Sequence, residues 1–204
     1  VAGSSPAGGA TKMINPLYCY SVTDFLLYYC EKRISMIVRK ATISDLKILK
    51  EISKTTFIET FASENSSENM TQYLESAFTD EKLIGELTNN NSEFYFAEIE
   101  QEVVGYLKVN FNDSQTELKV SNALEIERIY VLKEFHGKNV GQILYDKAIE
   151  IAKYKSLNNV WLGVWEQNPR AIRFYEKNGF KVFDKHIFKL GEDEQTDIMM
   201  KLEI

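Results

Sequence analysis

The sequence predicts a single mixed α/β domain whose sheet carries helices on both faces, and three observations lead there. Apolar residues alternate between a period of two and a helical period in the succession strand, helices, three strands, helix, strand, helix, two strands. That order fits neither a doubly wound sheet nor a barrel. The chain has 204 residues, 44% of them hydrophobic and 26% charged, the proportions of one globular domain with a real core. No internal repeat and no second domain is visible.

Residues 37–41 read as a short strand. Thr42, Ile43, Ser44 and Asp45 have capping-box spacing and open a helix with Leu46, Leu49 and Ile52 on one face. Residues 69–89 form one or two further helices, with Leu74, Phe78, Leu83 and Leu87 apolar, and the run NNNS at 89–92 ends them. Residues 94–99 and 103–111 alternate as an antiparallel hairpin, and 124–131 is a third long strand. Residues 141–153 set Leu144, Ala148, Ile151 and Ala152 at helical spacing, and 160–165 is an apolar strand. Asn168 and Pro169 open a short helix that Asn178 and Gly179 close. Strands at 181–190 and 196–203 complete the chain.

Residues 1–35 fall outside this pattern. The small-residue stretch 1–10 holds too little apolar area to offset its ordering entropy. The apolar run at 17–29 is shorter than the ~20 helical residues a bilayer requires. A glycine-rich region precedes it and the charged run Glu31, Lys32, Arg33 follows it, unlike a signal peptide. The expected division is an added or flexible appendage over 1–35, with a docking segment as the alternative, and one domain over 36–204.

Composition then excludes several functions. A formal net charge of −6, from 24 basic and 30 acidic residues, disfavours nonspecific binding to nucleic acid or anionic membrane and permits cationic partners. The two cysteines, Cys19 and Cys30, both lie in the first 35 residues, so the patterned region has no disulfide framework, thiolate zinc site or cysteine nucleophile. His136 and His186 are the only histidines, and no metal site is expected.

Two segments carry chemistry. In 124–152 a strand passes through a Gly/Asn turn into the first turn of a helix, where amides and the helix dipole suit a phosphate. Gly137 and Gly141 lack side chains, Asn139 enters left-handed geometry readily and Lys138 adds a cation. The alternative is an ordinary strand-to-helix turn; a nucleotide-triphosphate loop would need the Gly-Lys-Ser/Thr that is missing. In 159–180, Asn168 either caps its helix or meets a ligand. Phe174 and Tyr175 are either core aromatics or include a buried phenol that needs a partner.

Taken in order, these segments resemble the GCN5-related N-acetyltransferase (GNAT) superfamily. Its pyrophosphate motif, Q/R-x-x-G-x-G/A, aligns with residues 136–141: His136 replaces Gln/Arg, Asn139 replaces the first glycine, and Gly141 matches. NMTQYLESAF, LEIERIYV, WLGVWEQN, AIRFYEKNGF and GEDEQTDIMM are similar to the bacterial PaiA-type spermidine/spermine N-acetyltransferases, a resemblance covering 36–204. It implies an acyl-CoA N-acyltransferase fold with a mostly antiparallel, splayed sheet between two layers of helices. The activity it implies is direct attack of a spermidine or spermine amine on acetyl-CoA, without a metal. Other acceptors (a protein N-terminus or lysine, an amino acid, an antibiotic) and a non-catalytic acyl-CoA-binding module are the alternatives.

The resemblance also implies that Ile129, Tyr130 and Val131 hold the pantetheine arm. Gly137, Lys138, Asn139, Val140, Gly141 and Gln142 would take the pyrophosphate, Asn168 would contact the coenzyme, and Tyr175 would face the sulfur as general acid. Glu127, on the strand flanking the thioester, is the candidate base, with ion pairing to Arg128 or another basic neighbour as its alternative; Glu125 shares its face. Glu59, Glu127 and the 191–194 loop are candidate acidic contacts for a polycation. The expected partners are acetyl-CoA and a small amine, not nucleic acid or membrane. A homodimer is left open, and the expected location is the cytoplasm.

Overall fold

The computed structural model describes residues 36–117, 120–190 and 193–204; the expectation for 1–35 and part of the 191–194 loop lie outside the described residues. The elements follow the predicted order. They are β1 (Met36–Lys40), α1 (Leu46–Phe61), α2 (Ser67–Ala77), α3 (Asp80–Thr88), β2 (Ser92–Ile99), β3 (Glu102–Phe111), β4 (Ala123–Val131), α4 (Val140–Tyr154), β5 (Asn159–Trp165), α5 (Pro169–Lys177), β6 (Lys181–Leu190) and β7 (Asp193–Glu203). Among the described residues no helix is long and apolar enough to cross a membrane.

Local chemistry sets the boundaries. The capping box at Thr42 forms, but its first turn (Ile43–Asp45) is a 3-10 turn before α1 proper. Asp45 accepts from the Thr42 main chain at 2.8 Å while Arg39 grips the same carboxylate at 2.8 and 2.9 Å. The Arg39 bond holds that carboxyl at about 2. The 69–89 run divides into α2 and α3 because Thr79 accepts from the Lys82 amide, as Ser66 accepts from that of Asn69. Gly179, at φ +91°, closes α5.

The strands form one sheet in the order β1-β2-β3-β4-β5-β7-β6. The β4–β5 pair is parallel and every other pair is antiparallel. One face packs on α4, with Leu107, Leu124, Leu144, Ala148 and Leu162 buried between them. The other packs on α1–α3 through Leu49, Phe57, Phe61, Leu83, Phe94 and Phe96. Phe94 and Phe96 serve one core while Tyr95 and Ala97 serve the other, so β2 is buried on both faces, as a central strand must be. Each such large apolar side chain contributes roughly 1.5–3 kcal/mol.

Candidate active site

Parallel pairing of β4 with β5 covers only Ala123, Leu124 and Glu125, opposite Asn159, Val160 and Trp161. Beyond those residues the strands diverge. A cavity of about 360 Å³ opens there, walled by β4 residues 125–130, by Trp161, Gly163 and Trp165 of β5, and by aromatic rings of α1 and α2.

The break coincides with a bulge. Lys108 faces Arg128 but Val109 faces Ile126, which leaves Glu127 as the extra residue. Beyond the bulge, Leu132 donates to the Val104 carbonyl at 3.0 Å. By antiparallel alternation the peptide groups of Tyr130 and Arg128 are then spent on β3, whereas those of Ile129 and Val131 point into the gap. Of the three residues expected along a pantetheine arm, Ile129 therefore offers main-chain amide and carbonyl and Val131 its amide, the Val131 carbonyl being held by His136. Tyr130 instead contributes its ring, stacked on Tyr106 with centroids 5.8 Å apart.

The bulge also gathers charge on the α1–α3 side. Glu127 meets Lys108 at 2.6 Å and Arg128 at 2.9 Å, and accepts from Asn110 Nδ2 at 2.6 Å. Glu86 of α3 bonds Lys108 at 2.9 Å and takes Arg128 in a two-pronged bond at 3.0 and 3.1 Å. Lys108 is only 4% exposed. Burial alone would raise the Glu127 carboxyl; the charges of Arg128 and Lys108, with hydrogen bonds from Lys108 and Asn110, overcome it and hold the group at about 2. A carboxylate so strongly stabilised in its charged form is a weak proton acceptor. The ion pairing that the sequence offers as one role for Glu127 is present, to Arg128 and to Lys108. Glu125 does share its face: Asn110 Nδ2 also reaches Glu125, at 3.0 Å, and Thr116 donates to it through main chain and hydroxyl. Burial nevertheless raises the Glu125 carboxyl.

Tyr175, on α5, lines the cavity and is buried with Phe174 and Phe180 rings around it. Among the described residues nothing hydrogen-bonds its hydroxyl, and burial pushes the phenol well above its usual range, so it is held protonated. Asn168 caps α5, its Oδ1 accepting from Ala171 at 3.0 Å, and also borders the cavity.

The bend between β4 and α4 has the geometry its composition predicts. Gly137 lies at φ +76° and Asn139 at φ 66°, ψ 3°. The first helical bond runs from Ile143 to the Asn139 carbonyl, so among the described residues the amides of Gly137, Asn139, Val140, Gly141 and Gln142 have no main-chain acceptor. The Gln142 side chain is used elsewhere, bonding Asn178 at 3.0 Å and Asp146 at 2.9 Å. The His136 ring lies between Val131 and Arg170. A carbonyl can only accept and a guanidinium can only donate, so its Nε2–H donates to Val131 O at 2.8 Å and its Nδ1 accepts from Arg170 at 2.7 Å. Burial, with Arg170 adding, lowers its pKa and keeps the ring neutral.

Sequence reading missed several of these residues. Arg170 had one signal, a cation in the first turn of a helix, against the dipole. Lys108 and Asn110, alternate polar residues in an apolar strand, signalled a polar stripe facing Glu125 and Glu127. Glu86, Gln195, Asp197 and His186 carried no local signal, because only the tertiary fold brings them to the site. Glu59 is not in the cavity wall: its carboxylate accepts from the Lys133 main chain at 2.8 Å and fixes the turn after β4.

The Acetyltransferase (GNAT) family pattern matches residues 49–180. An uncharacterized N-acetyltransferase of Lactobacillus delbrueckii subsp. lactis is 43% identical over 157 residues, 77% of this chain and 91% of that protein. The spermidine N(1)-acetyltransferase of Thermoplasma acidophilum is 29% identical over 154 residues, 74% of this chain and 91% of its own. The crystal structure of the PaiA N-acetyltransferase of Thermoplasma acidophilum, in complex with coenzyme A, superposes with a TM-score of 0.69 at 28% identity, covering 83% of this chain and 99% of that one. With the splayed strands and the amide-rich bend, these likenesses establish that the chain belongs to the GNAT family of N-acetyltransferases.

Proposed function

We propose that this acetyltransferase modifies a slender polyamine of the spermidine or spermine type by direct attack of one amine on the thioester, and that it does so in the cytoplasm. The observation that carries this reading is the cavity itself, where aromatic rings of α1, α2, β4 and β5 surround the carboxyl groups of Glu125, Glu127 and Asp197. Aromatic faces and carboxylates together attract an ammonium group. The likeness to a spermidine N(1)-acetyltransferase supports the same acceptor.

In this reading the pantetheine arm runs along Ile129 and Val131, and the amides of residues 137 and 139–142 take the pyrophosphate at the positive end of α4, with Lys138 and Arg170 adding charge. Asn168 contacts the arm. The Ile129 amide, aimed into the gap, stabilises the oxyanion of the tetrahedral adduct. Tyr175, protonated at neutral pH, gives its proton to the departing thiolate. Glu127 keeps Lys108 and Arg128 neutralised beneath the reacting atoms.

The test is thiol release from acetyl-CoA with a panel of spermidine, spermine, an amino acid, an aminoglycoside and a peptide N-terminus. Spermidine or spermine should give the highest kcat/KM. A tenfold preference for any other class refutes the polyamine assignment.

A further inference from the structure

His186 and Asp197 line the cavity, with Glu117 behind His186, and no proton-transfer role has been given to any of the three. His186 of β6 faces Asp197 of β7 directly across the hairpin. The imidazole Nδ1 meets Glu117 Oε1 at 2.7 Å, and since a carboxylate accepts, Nδ1 donates. The opposite nitrogen, Nε2, is buried without a hydrogen-bond partner and looks toward Asp197 Oδ2, 3.8 Å away.

Asp197 differs from Glu127 in the respect that matters. Its side chain is 20% exposed, yet among the described residues no donor lies within hydrogen-bond distance of it. A half-buried carboxylate without a protein donor favours a proton or an incoming cation. Tyr73 of α2 and Tyr130 of β4 line the same cavity; burial is the main reason both phenols are raised, and the Asp197 charge adds to it. Gly163 of β5 makes room: a methyl there would sit 3.4 Å from Asp197 Oδ2.

We propose that Asp197, with His186 and Glu117 behind it, is the base of this site, pairing with the acceptor's ammonium group and taking its proton before the nitrogen attacks. The proposal rests on the amine-acceptor reading but not on the acceptor being a polyamine. Of the three protons of a primary ammonium, one passes to Asp197 and through His186 to solvent. A second leaves the nitrogen of the tetrahedral adduct for solvent as the carbon–sulfur bond breaks, Tyr175 gives its proton to the thiolate and regains one from solvent, and the third stays in the amide. Burial raises the Asp197 carboxyl, which makes it the better proton acceptor, whereas Glu127 is held in its charged form.

A matched pair of amines tests this: ethylamine, charged at pH 7, and 2,2,2-trifluoroethylamine, neutral at pH 7. In thiol-release assays Asp197→Asn should lose ~10²-fold or more in kcat/KM with ethylamine, and less than about threefold with trifluoroethylamine. Coenzyme A affinity should be unchanged by calorimetry. Equal losses on both amines, or none, overturn the proposal. If Asp197→Asn fails to fold, Asp197→Ser, which removes the carboxylate but keeps a small polar group, should give the same amine-selective loss, and an unselective effect counts against the base. A second readout does not need turnover. With coenzyme A bound, spermidine should displace the His186 ring-proton NMR signals of the wild-type protein while His136 stays fixed. Displacement without thiol release would refute the polyamine reading and leave the Asp197 site standing; no displacement by spermidine or ethylamine refutes the site.

Discussion

Replacing Glu127 by glutamine separates the two roles open to that residue. Moving its carboxyl from the ordinary 4.5 to about 2 corresponds to roughly 3 kcal/mol in favour of the folded, charged form. Removing one partner from a buried ion pair costs a similar amount, about 3–5 kcal/mol. Here Glu86 would be left as the sole carboxylate for both Lys108 and Arg128. For a domain of this size the melting temperature should fall by roughly 6–12 °C at pH 7. The sign is fixed by the depressed value: the contribution is complete above about pH 4.5 and vanishes as pH falls toward 2, so variant and wild type should converge in acid. The assay pairs thermal melts from pH 3 to 8 with kcat/KM for thiol release, measured well below either melting point. Glu127 as counter-ion predicts a large loss of stability and a rate change within ~10-fold, with the neutral limb of the pH–rate profile unmoved. A melting temperature unchanged within about 1 °C, together with a rate loss above ~10²-fold and disappearance of that limb, would refute the reasoning and restore Glu127 as base.

Three further outcomes follow from the geometry. Tyr175→Phe should retain coenzyme A affinity and melting temperature, because the hydroxyl has no partner among the described residues, while kcat falls ~10²-fold in the thiol assay. Asn139→Val forces a β-branched residue into φ 66°; the strain of roughly 1–2 kcal/mol should weaken coenzyme A binding about tenfold by calorimetry, whereas Asn139→Gly should bind as wild type or better. Gly105→Ala would put a methyl 2.8 Å from the Tyr130 carbonyl oxygen. Since that oxygen is backbone, β3 and β4 must separate, and denaturant titration should report a loss of about 1–3 kcal/mol.

The framework was readable because its signals are local. Strand alternation at 94–99 and 103–111, the caps at Thr42 and Asn168, and the glycines at 137 and 179 each act within a few residues, and each appears where expected. The left-handed turn at Asn139 was readable for the same reason, since a short polar side chain permits it. What the sequence could not supply was partnership. Whether Glu127 is a base or a counter-ion depends on Lys108, nineteen positions earlier, and on Glu86, forty-one earlier, and both reach it only through the register of β3 and the packing of α3. Asp197 and His186 looked like alternate residues in ordinary strands until the hairpin set them opposite one another. Glu59 looked like a free carboxylate because its partner, a main-chain amide at Lys133, leaves no mark in the sequence.

The bulge at Glu127 ties these observations together. If β4 ran on from Ile126 in unbroken register, Glu127 would face Lys108 and Arg128 would face Leu107 on the α4 side, because side chains alternate and a one-residue slip exchanges the faces. Glu86 would lose its two-pronged bond, and Lys108 would have no shared acid network beneath the cavity. The same slip would reverse the peptide groups, turning those of Ile129 and Val131 toward β3 and closing the row of donors and acceptors that now faces the gap. Parallel pairing with β5 stops at Glu125, one turn of the pleat before the bulge, so the strand separates from β5 just where its main chain becomes available to a ligand. A single inserted residue thus couples the charge that steadies the acceptor side to the backbone that faces the coenzyme side. Deleting Glu127 removes the bulge but keeps Arg128 opposite Lys108 and Ile126 opposite Val109, so by calorimetry it should leave coenzyme A binding within about threefold while costing the ion pairs to Lys108 and Arg128, as Glu127→Gln does.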